Sequence, residues 1–303
     1  MISVVIPVKD GGADLVRCLD AIARQEVGDD VEVVVVDSGS TDGSAELARS
    51  HGARVHEIPP EEFGHGRTRN LGASLATGDL LVFTSQDAYA ADAHWLERLV
   101  EPLARDEVAG SYGRQLPHDD AAPPERYFLD FLYGPESRMQ RLAGDGEPDF
   151  EQTLFSNVSS AMRRATWEEF PFADDLVMSE DQEWSRRVLL AGYELAYVAD
   201  AAVHHSHSYS IAAAFRRFFD SGVSAERSYA AGGGDSGALR RAGARYAKGE
   251  VEWLWETGQR RWIPYAAVYE LAKFTGMQLG RRHRRLPTSL KRRLSALPGH
   301  WDS

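Results

Sequence analysis

Two nearly unbroken β-branched runs, "ISVVIPV" (Ile2 to Val8) and "VEVVVVD" (Val31 to Asp37), constrain this chain more than any other feature. A strand with one wet face alternates apolar and polar residues, so continuous runs point to strands covered on both faces, as in a mostly parallel sheet flanked by helices. Between them, Leu15, Cys18, Leu19 and Ile22 recur at helical spacing across Asp14 to Gln25, which makes a βαβ unit. The pattern continues: Ser40 and Thr41 are placed to cap a helix through Ala48, "ARVHEI" reads as a third strand, Arg67 to Ala76 as a helix and "DLLVFT" as a fourth strand. Strand and helix in alternation, with no internal repeat, predict a three-layer α/β sandwich that binds ligands at the carboxyl ends of its strands.

Downstream, Trp95 to Arg105 and Asp181 to Ala191 read as helices, and "ELAYVADAAVHHSHSYS" as extended chain. The segment "LPHDDAAPPERY" reads as an irregular loop, either a lid or a plain surface excursion. Ile211 to Tyr229 and Tyr246 to Leu279 are expected to be helical, separated by a flexible "AAGGGDSG".

The polar clusters fall at strand ends. Asp37 closes the second strand within "DSGSTDGS", where a buried carboxylate could accept from a base or from ribose hydroxyls; a turn with a helix cap explains its neighbours but leaves Asp37 unused. The first strand is followed by "KDGG" and not by a glycine-rich pyrophosphate cradle, which argues against a dinucleotide dehydrogenase and against a sugar-phosphate nucleotidyltransferase. The fourth strand ends in "TSQDAYA". Asp87 there suits a hard divalent cation, which needs only one or two protein carboxylates when phosphate and water complete its shell; a helix cap is the alternative. In "MSEDQEW", Glu180 and Asp181 stand at a helix start, where they serve the helix dipole or carry chemistry. In "VHHSHSYS", alternation puts His205 and His207 on one face and His204 on the other, so one of the pair could join Asp87 on a metal.

Charge divides the chain unevenly. Of the net −12, the residues from Arg240 onward carry 14 Lys/Arg against 5 Asp/Glu, a surplus of +9 that leaves −21 for the rest. The basic "RRHRRLPTSLKRR" follows an aromatic-rich segment with Trp253, Trp255, Trp262, Tyr265 and Tyr269, so residues 246–293 suit an anionic membrane surface; a packed helix with a solvated basic tail is the alternative. Nucleic acid is not expected, because the acidic remainder would repel it and no recognition motif accompanies the charge. The single cysteine, Cys18, excludes an internal disulfide and reads as a packed thiol. With no charged leader at the start and no run of about 20 apolar residues, the chain is expected to be cytoplasmic, with a peripheral place on the inner face of the plasma membrane open to it.

Together "VVIPVKD", "VVVVDSGSTDGS", "GHGRTRNLGASLATGD", the "SQDA" motif and the "ED" pair resemble, in order and spacing over roughly residues 2–210, the family 2 glycosyltransferases of the GT-A fold. "SQDA", "GHGRTRN" and "HSHSYS" look most like the bacterial rhamnosyltransferase branch. The resemblance implies a GT-A catalytic domain over 1–230 and a helical, basic extension over 231–303. It implies a nucleotide-sugar donor, dTDP-rhamnose, and a hydroxyl on a growing cell-surface glycan or lipid-linked acceptor. Asp37 would contact the pyrimidine, and Pro7, Lys9, His65, Arg69, Asn70 and Gln86 would line the donor pocket. Asp87, with His205 or His207, would hold Mg²⁺ or Mn²⁺, and Asp181 would be the base of an inverting displacement. Two positions depart from the family pattern: Ser85 stands where the first metal carboxylate is usual, and Lys9 where many relatives have an aromatic residue. A retaining enzyme, another nucleotide sugar, or a silent sugar- or membrane-binding module are the competing readings.

Overall fold

The computed structural model describes residues 1–228, apart from Ala143 and Asp145, and residues 236–302. Its first half winds β1 (Ile2–Val8), α1 (Gly12–Ala23), β2 (Val31–Asp37), α2 (Ser44–Ser50), β3 (Arg54–Glu57), α3 (His65–Leu75), β4 (Leu80–Thr84), β5 (Tyr89–Ala90), α4 (Trp95–Val100) and β6 (Val108–Leu116). The second half adds α5 (Pro123–Leu132), β7 (Arg138–Gln140), α6 (Phe150–Thr153), β8 (Ser159–Arg163), α7 (Arg164–Glu169), α8 (Glu180–Leu190) and β9 (Glu194–His204). Among the described residues the α-helices α9 (Ile211–Ser224), α10 (Ser236–Glu256), α11 (Ile263–Gly280) and α12 (Thr288–Leu294) follow.

One sheet runs β3-β2-β1-β4-β8-β6-β9-β5, with β7 also on β9. The longest ladders, β1 with β2 and β6 with β9, are parallel, and β8 is inserted antiparallel between β4 and β6. Most β-branched residues of β1 and β2 behave as their pattern requires: Val4, Val5, Ile6, Val34, Val35 and Val36 are fully buried, the first five divided between apolar layers on the two sides of the sheet, while Val31 at the start of β2 is exposed. At about 1.5–3 kcal/mol for each large apolar side chain, this layer is the principal driving force of the fold.

Helix α3 lies against the sheet where glycine permits it. A β-carbon on Gly66 would overlap the Ala173 carbonyl, and one on Gly72 would overlap Val5. Overpacking of this kind costs about 1–3 kcal/mol, so Gly66→Ala should lower the melting temperature by several degrees in a thermal denaturation series. A wild-type melting curve for Gly66→Ala would show that α3 can shift away from the Ala173 turn.

Several local expectations need correction. Ser40 and Thr41 do not cap α2, which starts at Ser44 after Gly43; instead Ser40 Oγ accepts from the Asp10 amide at 2.8 Å and the Thr41 amide donates to Asp10 at 2.8 Å. These bonds tie the β2 end to the β1 end. The expected helix through Arg105 leaves α-geometry after Val100. The Pro-rich loop contains α5, whose first two residues are prolines, a good start for a helix because their missing N–H groups would have no partner. The helix expected over Tyr246 to Leu279 is two helices, interrupted at Gly258, which adopts the left-handed φ of 75°. The "AAGGGDSG" segment lies almost wholly outside the described residues, and α9 ends at Ser224, short of Tyr229.

Among the described residues no helix is long and apolar enough to cross a membrane. The C-terminal helices pack on the rest: Tyr127 of α5 lies at a tilt against Tyr246 and Trp253 of α10, and Gly222 on α9 opposes Met277 on α11 too closely for a side chain.

Candidate functional site

A cleft of about 1370 Å³ opens at the carboxyl ends of β1 and β4 and is walled on its far side by α5, α9, α10 and α11. The cleft is therefore shared between the α/β sheet and the C-terminal helices. Pro7, Lys9, His65, Arg69, Gln86, Asp87, Asp181, His205 and His207 all line it, whereas Asp37 and Asn70 do not.

Where β9 runs out, alternation does what the sequence pattern implies. His205 and His207 point the same way and meet Asp87 from the end of β4: His205 Nε2 lies 3.7 Å from Asp87 Oδ1 and His207 Nε2 lies 3.4 Å from Asp87 Oδ2. The ligating atoms of the three residues fall within 4.8 Å of one another. His204, on the opposite face, stacks on Tyr89 instead. Burial pushes the His205 imidazole down to about 3, with the His207 and Arg217 charges acting in the same direction against Asp87. His207 is lowered as well, burial again being the main cause. Both rings are thus neutral at physiological pH, and the contacts to Asp87 are not ion pairs. Three lone-pair donors face one another, a set that could hold a divalent cation.

Gln115 on β6 orients the set. Its Oε1 lies 2.9 Å from His205 Nδ1, and its Nε2 donates to Ser156 Oγ at 3.0 Å. With the amide so turned, Nδ1 carries the proton and the Nε2 lone pair is aimed at Asp87. Arg217 of α9 also lines the cleft and bears electrostatically on His65, His205 and His207. Neither Gln115 nor Arg217 was legible beforehand: one sits in "YGRQLPH" and the other in an ordinary amphipathic "AAAFRRFFD".

Asp181 and Glu180 have divided roles. Glu180 is 3% exposed and takes the Arg69 guanidinium at 2.9 Å and the Asn157 amide at 3.2 Å. Burial opposes its charge, but Arg69 and His65 outweigh it and hold Glu180 below the usual carboxylate range. Asp181, next along α8, accepts from the Asn157 and Gln182 backbone amides at 3.2 and 2.8 Å. Burial first, then the Glu180 charge, push Asp181 up to about 7. Two adjacent carboxyls with affinities driven apart form an acid–base arrangement, and the group poised near neutrality is Asp181. Ser179, in the left-handed region at φ 62°, sets the direction of this helix start.

The remaining candidates are committed to the scaffold. Gln86 clasps the Lys9 backbone, accepting from its amide at 2.8 Å and donating to its carbonyl at 3.0 Å, so it shapes the β1 end and has little left for a ligand. Asn70 is a correction: its Nδ2 donates to the Phe172 carbonyl at 2.8 Å and its Oδ1 accepts from Trp167 and from the Phe172 amide, which fixes it outside the cleft. Lys9 reaches the Gly39 carbonyl and bridges to Asp10. Asp37 Oδ1 accepts from the Gly39 and Ser40 amides at 3.0 and 2.8 Å, while Oδ2 is buried without a partner. Arg69 lines the cleft, but its charge is turned to Glu180. Burial raises the Cys18 thiol to about 12, so it is an inert packed group.

Comparison with known proteins places the family and the fold. The family model described as "Glycosyl transferase family 2" matches residues 3–169. Over its full length the chain is 33% identical to the O-antigen chain rhamnosyltransferase RfbN of Salmonella typhimurium, covering 96% of that protein. It is also 33% identical over 90% of its length to the O-antigen chain rhamnosyltransferase WbaN of Salmonella anatum, covering 86% of it. Among solved structures, the mannosyltransferase PcManGT of Pyrobaculum calidifontis, in complex with GDP-Man and Mn²⁺, matches with a TM-score of 0.61 at 20% identity over 91% of this chain and 86% of that one. Residues 1–349 of Staphylococcus aureus TarS match at a TM-score of 0.55 and 15% identity, over 93% and 91% of the two chains. The fold is GT-A. With the family model spanning more than half of it and 33% identity to two O-antigen rhamnosyltransferases over its full length and over 90% of it, the chain belongs to glycosyl transferase family 2.

Proposed function

We propose that the protein is a metal-dependent, inverting rhamnosyltransferase that moves rhamnose from dTDP-rhamnose onto a hydroxyl of a cell-surface glycan or its lipid-linked precursor. The observation that carries this reading is the convergence of Asp87, His205 and His207 in the same cleft as Asp181, whose proton affinity suits a base at neutral pH. The rhamnosyltransferase relatives support the donor sugar. The buried, reduced Cys18 and a nucleotide-sugar substrate fit a cytoplasmic enzyme.

Asp87, His205 and His207 would hold Mg²⁺ or Mn²⁺, and a bound cation of this kind neutralises charge on a donor diphosphate as it leaves. Arg217 adds a positive side chain on the same wall and would receive part of that charge. Asp181 takes the acceptor hydroxyl proton while the new C–O bond forms at the anomeric carbon and the bond to the diphosphate breaks on the opposite face. The products are the glycoside with inverted anomeric configuration, dTDP, and a proton on Asp181.

The reading is tested by incubating the enzyme with dTDP-rhamnose, Mn²⁺ and a panel of glycan acceptors, and following the anomeric proton and carbon by NMR. A β-linked donor should give an α-linked product. Retention of configuration, or transfer only from a UDP- or GDP-sugar, would replace the proposal with one of its rivals.

Gln115→Ala supplies a finer test of the His205 orientation. Removal of a group that orients a metal-bound histidine typically lowers metal affinity about 10–100-fold, so the Mn²⁺ needed for half-maximal activity should rise by that factor with maximal turnover largely kept. An unchanged Mn²⁺ requirement would free His205 from Gln115.

A further inference from the structure

Helix α11 has its charges on the inside. Over Ile263–Gly280 it carries two, Glu270 and Lys273, and both face the protein, paired at 2.8 Å with side-chain exposures of 19% and 6%. The Lys273 ammonium lies 4.5 Å from the centre of the Phe128 ring and 5.0 Å from that of Tyr246. The same inner side meets α9, where Gly276 and Gly280 lie too close to the Phe215 and Phe219 carbonyls for any larger residue. The outer side has no charge: Val268 is 51% exposed, Leu271 64% and Phe274 56%. Surface helices of globular proteins place charge outward and apolar residues inward, and α11 reverses this.

Contiguous exposed apolar surface marks an interaction site, and the chain that follows indicates the partner. Residues 281–293 contain six arginines and a lysine and no acidic residue. They leave the last turn of α11, so the apolar stripe runs directly into basic surface. Two copies brought together through this face would set like charges against each other, which disfavours self-association. An anionic bilayer satisfies both halves: the apolar side chains enter the boundary between headgroups and acyl chains while the arginines meet phosphates. Leu271 and Phe274 also form the outer rim of the cleft, so this face and the cleft mouth would meet the lipid together.

We propose that the outward face of α11, with the arginines after it, docks the protein on an anionic membrane surface and holds the cleft mouth at the lipid interface. This does not depend on the identity of donor or acceptor. Vesicle binding needs neither, so its failure would leave the transferase reading standing.

The test is co-sedimentation of the full-length protein with vesicles of phosphatidylcholine alone and with vesicles containing 30–40% phosphatidylglycerol, fractions of roughly the anionic content at which basic segments bind. Wild type should bind the anionic vesicles about tenfold or more tightly than the neutral ones, and Val268→Glu/Leu271→Glu should lose at least about tenfold of that affinity. Arg284→Glu/Arg285→Glu should lose a similar factor and make the remainder less salt-sensitive. Each variant is checked by its melting temperature, and Val268→Ser/Leu271→Ser, which adds no charge, replaces the glutamate pair should that pair misfold. Equal binding of wild type and the apolar-face variants would overturn the proposal, as would absence of binding to anionic vesicles. A wild-type dimer in light scattering that the apolar-face variants dissociate would overturn it in favour of a second copy.

Discussion

Asp181→Asn is expected to lower kcat by about 10²–10⁴-fold while leaving donor affinity near wild type, since a general base acts only in the transition state. The pH profile gives the assignment a second signature. Burial and the Glu180 charge raise Asp181 to about 7, so the fraction of enzyme with a usable base falls as pH drops through that value. Wild-type kcat should therefore decline on the acid side of neutrality, and the residual activity of Asp181→Asn should lose that limb. Glu180→Gln separates the neighbours. It removes a charge that raises Asp181, so the acid limb should move to lower pH. It also leaves the Arg69 guanidinium buried and unpaired, for a stability loss of about 3–5 kcal/mol. Glu180→Gln should thus fail mainly in the melting experiment and Asp181→Asn mainly in the rate. Retention of more than about a tenth of wild-type kcat by Asp181→Asn, against that expected loss, would place the base elsewhere.

The second large effect is expected at the Asp87 cluster. His205→Ala removes a buried imidazole whose Nε2 faces Asp87, and Asp87→Asn removes the only negative charge in the set. A hard cation loses most of its attraction when an amide replaces a carboxylate. Both variants should lose Mn²⁺-dependent activity by about 10²-fold or more, with partial recovery at millimolar Mn²⁺. Because His205 is the more buried ligand and is fixed by Gln115, His205→Ala should be more severe than His207→Ala. Equal, small losses at all three positions would mean that the cluster is a polar junction and not a cation site.

How far the sequence anticipates these features depends on the range over which each is determined. The β1 and β2 runs are read correctly because burial on both faces leaves its mark in nearly all of β1 and in β2 from Val34 onward. The pairing of His205 with His207 follows from period-two alternation, a local property, and their meeting with Asp87 follows from both strands delivering their ends to one cleft. The position of Asn70 outside the cleft, and the commitment of Gln86, which does line it, escape the sequence for the opposite reason. Their amides are consumed by backbone groups of Phe172 and Lys9, 102 and 77 residues away, and no local pattern registers such partners. Ser40 is a good helix cap by type, but the Asp10 amide claims its hydroxyl first. The role of the C-terminal helices as a cleft wall is invisible for a similar reason, since α11 hides its two charges in contacts with α5 and α10.

The central claim is that this cleft takes a nucleotide sugar through a cation held by Asp87, His205 and His207. It is tested most directly by isothermal titration of dTDP-rhamnose into wild-type protein and Asp87→Asn, each with Mn²⁺ and with a chelator. The account predicts saturable binding by the wild type that requires Mn²⁺, and little or no Mn²⁺ enhancement in Asp87→Asn. Equal affinity in chelator and in Mn²⁺, or a full Mn²⁺ enhancement in Asp87→Asn, would contradict it.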